Sequence, residues 1–220
     1  MIKKIGALAL TAAMMLSLVG CSKKNFDGNY TAEIDYTDFL IETLEEESEA
    51  SLGSSDYKWE GSLVLSYQLE LSEGEYSLAY DLDSAKESFR TFMDTNAEGY
   101  MNSVFEALLA SDESLAGITI DDLLELYGVS TIWEAMGYDS KDAFIDEVVD
   151  EFVSELDETE TGDYEIDGDV VTLNGVEIMY DDGTEGDGWP LTYKDGDLTG
   201  EFYMDEDSDS LEVTFVRDAE

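Results

Sequence analysis

The hydropathy of this chain changes period twice, and that switch limits its fold more than any other feature. From Tyr30 to Tyr36 and again from Trp59 to Leu82, on either side of a short helix and a loop, apolar residues recur at every second position. Between Asp83 and Leu156 they recur at helical spacings, and from Gly162 to Val216 the two-residue period returns. A period of two sets one face of a strand against a core, and a period near 3.6 does the same for a helix. The order is therefore strands, helices, then strands again, with none of the alternation expected of βαβ units.

In the first block Tyr30, Ala32, Ile34 and Tyr36 oppose Thr31, Glu33 and Asp35. Thr37 then caps a short helix with Phe39, Leu40, Ile41 and Leu44, and the acidic, Ser-rich stretch Glu45 to Asp56 reads as a loop. Trp59 to Leu71 is the clearest strand, and a Ser-Glu-Gly turn pairs it with Tyr76, Leu78, Tyr80 and Leu82. In the middle block, Asp83 or Ser84 opens a helix that Gly99 divides. Thr119 and Gly128 bound a second helix, Ser130 and Gly137 a third, and Ser140 starts a fourth with Phe144, Val148, Phe152 and Leu156 in a fourfold row. In the last block Asp167-Gly168, Asn174-Gly175 and Asp195-Gly196 signal tight hairpins, because those residues tolerate positive φ.

The resulting class is mainly β with a helical insertion (α+β): strands over residues 28–82, helices over 83–158 and an antiparallel meander over 162–216 of one acidic domain, 28–216. An open one-sided sheet would expose its edges. Either the helices cover the sheet, or the nine candidate strands close into a barrel with helices at its mouth or side, and the second is preferred. This layout from Gly28 to Val216 resembles the small lipocalin-like barrels of Gram-positive lipoproteins. Where lipocalins carry Gly-x-Trp near the start, this chain has Gly28-Asn29-Tyr30. The resemblance implies inward rows that include Leu63, Leu65, Tyr67, Tyr76, Leu78 and Tyr80.

The N-terminus has a separate logic. Met1-Ile2-Lys3-Lys4 is basic, and Ile5 to Val19 is apolar but shorter than the roughly 20 residues that span a bilayer. The segment ends Leu18-Val19-Gly20-Cys21, which resembles the lipobox of bacterial lipoproteins. That resemblance implies a signal peptide over 1–20, cleavage between Gly20 and Cys21, a diacylglyceryl group on the Cys21 thiol and a lipidated tether over 21–27. Its partner would be the lipid bilayer, and its place the extracytoplasmic face of the cell membrane. Two acyl chains suffice for stable anchoring where one does not. Cys21 is the only cysteine, so no internal disulfide competes for it.

Charge and residue inventory narrow the function. Cleavage would remove Lys3 and Lys4 and leave 200 residues with eight basic side chains against 55 acidic ones. Such a surface repels nucleic acid, whose binding needs clustered Lys and Arg. The chain has no histidine, which excludes Ser-His-Asp and Cys-His catalysis and histidine metal sites. A carboxylate pair beside aromatic platforms (Trp59, Trp133, Trp189) is the remaining enzymatic reading, a glycan hydrolase, and ranks last. Weak calcium binding is a further reading. Asp205, Asp207 and Asp209 open like a calcium loop, but Ser210 and Val216 stand where glycine and glutamate belong, and Asp181, Glu185 and Asp187 form a second acidic loop. No other cofactor is expected. The leading expectation is a non-catalytic surface lipoprotein that binds a small ligand, a peptide or a protein, the tryptophans offering a binding surface. An accessory subunit of a surface assembly is the alternative, with an apolar patch near Trp133 and Met136.

Overall fold

A computed structural model describes residues 24–52, 57–111, 115, 117–179, 185–202 and 210–219. Gly20, Cys21, Asp181, Asp205, Asp207 and Asp209 lie outside the described residues.

Eight antiparallel strands close into an up-and-down barrel: β1 Gly28–Asp35, β2 Val64–Ser72, β3 Glu75–Tyr80, β4 Glu160–Asp167, β5 Val170–Met179, β6 Glu185–Lys194, β7 Asp197–Phe202 and β8 Leu211–Arg217. Each strand pairs with its neighbour in sequence. Tyr30 opposite Arg217 and Thr31 opposite Val216 join β8 to β1. Closure removes the sheet edges that a meander would expose, and the result is the lipocalin-like barrel that the periodicity favours.

Register explains the filled interior. Tyr30 faces Leu69, Leu69 faces Leu78, Leu173 faces Trp189 and Leu198 faces Phe215, so these rows turn inward, while Leu63 and Leu65, expected in the inward rows, pack toward the helices instead. An eight-stranded barrel is just wide enough for side chains to fill it. Here Val171, Leu173, Leu191, Leu198, Val213 and Phe215 have no exposed surface. The rows meet so closely that β7 needs a glycine. A Cβ at Gly200 would lie 2.5 Å from Leu191 Cδ2 and 2.9 Å from Trp189 Nε1. Gly200→Ala should therefore lower stability by about 1–3 kcal/mol through overpacking. Thermal unfolding checks this, and an unchanged midpoint would show that the interior yields.

One end of the barrel is made of tight turns. Glu73-Gly74 and Asp195-Gly196 have positive φ at both central residues, the conformation that matches strand twist in two-residue hairpins. Phe26, expected in a tether, is instead buried and plugs this end: its carbonyl accepts the Tyr30 hydroxyl at 2.7 Å, and its ring meets Tyr193 edge-on. Arg217 lies over the Tyr30 ring and donates to the carbonyls of Asn25 and Asp27, while Lys24 pairs with Asp169 in the β4–β5 turn.

At the other end the helices leave the barrel. Helix α1 is Thr37–Leu52, α2 Leu82–Ser111, α3 Ile120–Tyr127, α4 Ile132–Met136 and α5 Lys141–Leu156. Contacts between α2 and the incoming chain give its direction. Ser84 lies against Ser66, Ser88 Oγ accepts from the Val64 amide, Asn96 bonds Glu60, and Gly99 meets Tyr57. As the helix advances its partners step back along the chain, so α2 points past the mouth and away from the turn end. Helix α5 returns antiparallel to it, with Lys86–Asp150 at 2.7 Å, Arg90–Asp146 at 2.5 Å and the Lys141 amine on the Asp94 carbonyl at 2.9 Å. These exposed pairs set register more than stability. Stability comes from a second apolar core in which Ala85, Phe92, Ile145 and Val149 are buried and Phe89 meets Phe152 at 4.1 Å.

Several expectations need correction. Residues 45–52 continue α1, since Glu, Ala and Leu favour a helix. The second strand begins at Val64, not Trp59, because Gly61 turns the chain at φ 86° and Trp59 stacks on Phe92 of α2. Gly99 does not divide α2; it makes room for the Tyr57 ring, which a Cβ would approach to 2.6 Å. Thr131, not Ser130, caps α4. Asn174-Gly175 is a register shift inside β5 instead of a turn, which gives eight strands, not nine. The fourfold row of α5 flanks the core, while Ile145 and Val149 occupy its centre.

Candidate functional site

The barrel interior and the helical core meet at three tyrosines. Tyr36 directly follows β1, Tyr67 lies inward on β2 and Tyr80 ends β3, with Tyr67 opposite Tyr80 in register. The Tyr36 and Tyr67 hydroxyls are 2.9 Å apart, Tyr67 donates to Tyr80, and the Tyr67 and Tyr80 rings lie 4.2 Å apart between centroids. Burial, reinforced by neighbouring phenols, pushes the Tyr36 and Tyr67 hydroxyls well above the usual tyrosine range. The three hydroxyls linked in this way form a polar joint between the two cores, and the raised Tyr36 and Tyr67 phenols are not bases at neutral pH.

The predicted site residues do not converge. Trp189 is inside the barrel and donates to the Glu201 carbonyl at 3.2 Å; Trp133 is buried among the helices beside Phe144; Trp59 lies between Tyr57 and Tyr100 on α2. Trp189 packs in the barrel core, and Trp133 and Trp59 pack in the helical core, so the three do not line one face as a sugar platform would. Of the second acidic stretch, Glu185 and Asp187 belong to β6, paired with Met179 and Glu177, and Asp181 lies outside the described residues. Among the described residues no group of three acidic side chains is placed to hold a metal ion.

Among the described residues, two of the open depressions exceed about 500 Å³. One, of about 540 Å³, lies on the outer face of β2, β3 and β4 and is walled by Glu70, Glu73, Glu75 and Asp163 around small residues such as Ser77 and Thr161. The other, of about 520 Å³, lies at the far tip of the helices. Phe105, Leu108 and Leu109 of α2, Leu123 and Tyr127 of α3, and Val129, Glu134 and Ala135 around α4 line it.

Local sequence builds this second groove. Thr119 and Asp122 form a reciprocal capping box, and those hydrogen bonds hold the Asp122 carboxyl below its ordinary value. Gly128, left-handed at φ 72°, ends α3 and Thr131 starts α4. Leu124 turns into the helical core, which leaves Leu123 and Tyr127 beside the groove and Leu126 outside it. Leu108, Leu126 and Tyr127 are 46%, 74% and 70% exposed, the last two among the most exposed large apolar side chains described. The groove lies close to the expected Trp133–Met136 patch but is centred on α2 and α3. A signal was available in the sequence: Ile120, Leu123, Leu124, Leu126 and Tyr127 spread over more of a helix than one buried face requires.

No family model, curated protein or solved structure matches the chain. Functional inference therefore rests on the groove, the closed barrel and the N-terminal segment.

Proposed function

We propose that this chain is a non-catalytic, lipid-anchored surface module whose barrel is a pedestal and whose helical tip binds a partner protein. The observation that carries this reading is the open apolar groove at the end of the molecule opposite Lys24. Cys21 is three residues before Lys24, so the acyl chains would lie within roughly 10 Å of the turn end at about 3.5 Å per residue. From Ser84, level with the barrel, to Leu108 in the groove, α2 rises roughly 36 Å at about 1.5 Å per residue. The tether thus faces the bilayer and the groove faces outward. The packed barrel leaves little room for an internal ligand, which favours a protein or peptide over a small molecule. An accessory subunit of a surface assembly would use the same groove.

The test places a photoreactive residue at Tyr127 or at Asp195 in the full chain, made in its own host. Tyr127 should form adducts with protein, Asp195 adducts with lipid, and Cys21→Ser should leave the membrane fraction. Lipid adducts from Tyr127, or membrane retention after Cys21→Ser, would overturn the proposal.

A further inference from the structure

Building on that reading, we infer that the groove accepts a cationic amphipathic helix from another protein. Its floor is apolar, with Phe105, Leu108, Leu109, Leu123 and Tyr127, and Glu134 stands in its wall. Glu134 is held there because its carboxylate accepts the Ser130 amide at 2.6 Å. The surrounding charge has one sign. Among the described residues from Phe105 to Ala135 the chain carries Glu106, Asp121, Asp122, Glu125 and Glu134 and no Lys or Arg. On α3 the floor residue Leu123 stands between Asp122 and Glu125, so apolar floor gives way to carboxylate rim within one helical turn. A helix with aliphatic residues at i, i+3, i+4 and i+7 and Lys or Arg on its flanks complements both parts.

The same observations disfavour other occupants. A second copy would bring a formal charge of −45 against an equal charge. An anionic bilayer is repelled by the rim and lies beyond the opposite end of the barrel. A neutral apolar helix would fill the floor but leave the carboxylates uncompensated at close range. Salt-sensitive association follows, since the rim is exposed and is screened over about 10 Å at 0.1 M salt.

Three synthetic 18-residue peptides test this against the full chain: a Leu/Lys amphipathic helix, the same peptide with Leu replaced by Ser, and the same peptide with Lys replaced by Gln. Fluorescence anisotropy should show the Leu/Lys peptide binding at least tenfold more tightly than either other. Leu108→Ser with Tyr127→Ser should weaken that peptide at least tenfold, while Ile166→Ser, on the barrel, should leave it unchanged. The substituted groove positions are exposed, so folding is retained, and far-UV circular dichroism confirms it. Equal binding of the Ser-containing peptide, or no effect of the groove pair, would show attraction by net charge alone and overturn the inference. Equal binding of the Gln-containing peptide would also overturn it while leaving the protein-binding reading intact. Concentration-dependent dimers abolished by the groove pair would replace the partner helix with a second copy.

Discussion

Asn96→Ala should lower the stability of the protein by about 2–4 kcal/mol, the largest loss expected from one surface-neutral substitution. Asn96 is the buried polar side chain among the described residues, with no exposed surface, and its amide is fully used. Its Oδ1 accepts the Glu60 amide at 2.9 Å and the Tyr57 hydroxyl at 3.0 Å, and its Nδ2 donates to the carbonyls of Glu60 at 2.8 Å and Phe92 at 2.7 Å. This one side chain therefore stands in for strand pairing along the segment before Leu63, and it fastens that segment to α2. Removing it takes away the partners of both Glu60 backbone groups at a part-buried position, at about 1–3 kcal/mol for each group that water does not reach. It also frees Tyr57 and loosens the stack of Trp59 on Phe92 and Tyr100. Thermal unfolding should shift downward by roughly 5–15 °C for a chain of this size.

Asn96→Asp sharpens the test. A carboxylate would keep both acceptor contacts but face the carbonyls of Glu60 and Phe92 where a donor is required. Burial and those carbonyls would raise its folded pKa above the unfolded value near 3.9. A raised folded pKa means stability that is present below the unfolded pKa and lost as pH rises through the folded one. The Asp variant should thus be closest to wild type near pH 4 and furthest from it at pH 7. A loss below about 1 kcal/mol in the Ala variant, or no pH dependence in the Asp variant, would show that water replaces the amide.

The same residue illustrates what could and could not be read from the sequence. Periodicity was enough to find every barrel strand and all the helices between Leu82 and Leu156, because core-facing rows repeat locally. Closure was inferable as well, since an exposed edge is costly. The joints were not legible, because each depends on a partner distant in sequence. Trp59 alternates perfectly with Leu63 and Leu65, yet it belongs to α2 because Asn96 draws Glu60 away from the sheet. Gly99 looks like a helix breaker until the Tyr57 ring occupies the space of its missing Cβ. Asn174-Gly175 has hairpin chemistry, but its carbonyl accepts the Tyr76 hydroxyl at 2.9 Å, and Gly162 clears room for that ring, so the pair becomes a bulge in a continuous strand. The groove was only half visible. An apolar patch on the helices could be anticipated, but its position follows from how α2 projects, which the α2–α5 ion pairs and the Asn96 contacts determine.

The second large effect should appear in alkali, at the tyrosine joint. Tyr67→Phe removes the middle hydroxyl, so Tyr36 loses its 2.9 Å partner and Tyr80 its donor, at about 1–3 kcal/mol. The more discriminating consequence is the pH dependence. Burial, then the neighbouring phenols, raise Tyr67; burial, then Tyr80, raises Tyr36; and burial with the Asp27 hydrogen bond pushes Tyr164 up to about 12. In the unfolded chain all three would ionise near pH 10. A folded pKa above the unfolded one gives stability that is whole below pH 10 and declines as pH rises, by about 1.4 kcal/mol per pH unit for each phenol still protonated in the folded state. Wild type should therefore unfold steeply in alkali, with phenolate absorbance from the joint appearing only with the loss of circular dichroism. Repulsion among the carboxylates, which ionise far below this range, is common to both proteins. The difference isolates one phenol: above pH 10 the stability of Tyr67→Phe should fall less steeply than that of wild type, by up to about 1.4 kcal/mol per pH unit. Parallel slopes, or Tyr67 phenolate forming in the still-folded protein, would mean that the joint is open to solvent and that the helices rest on the barrel without sealing its mouth.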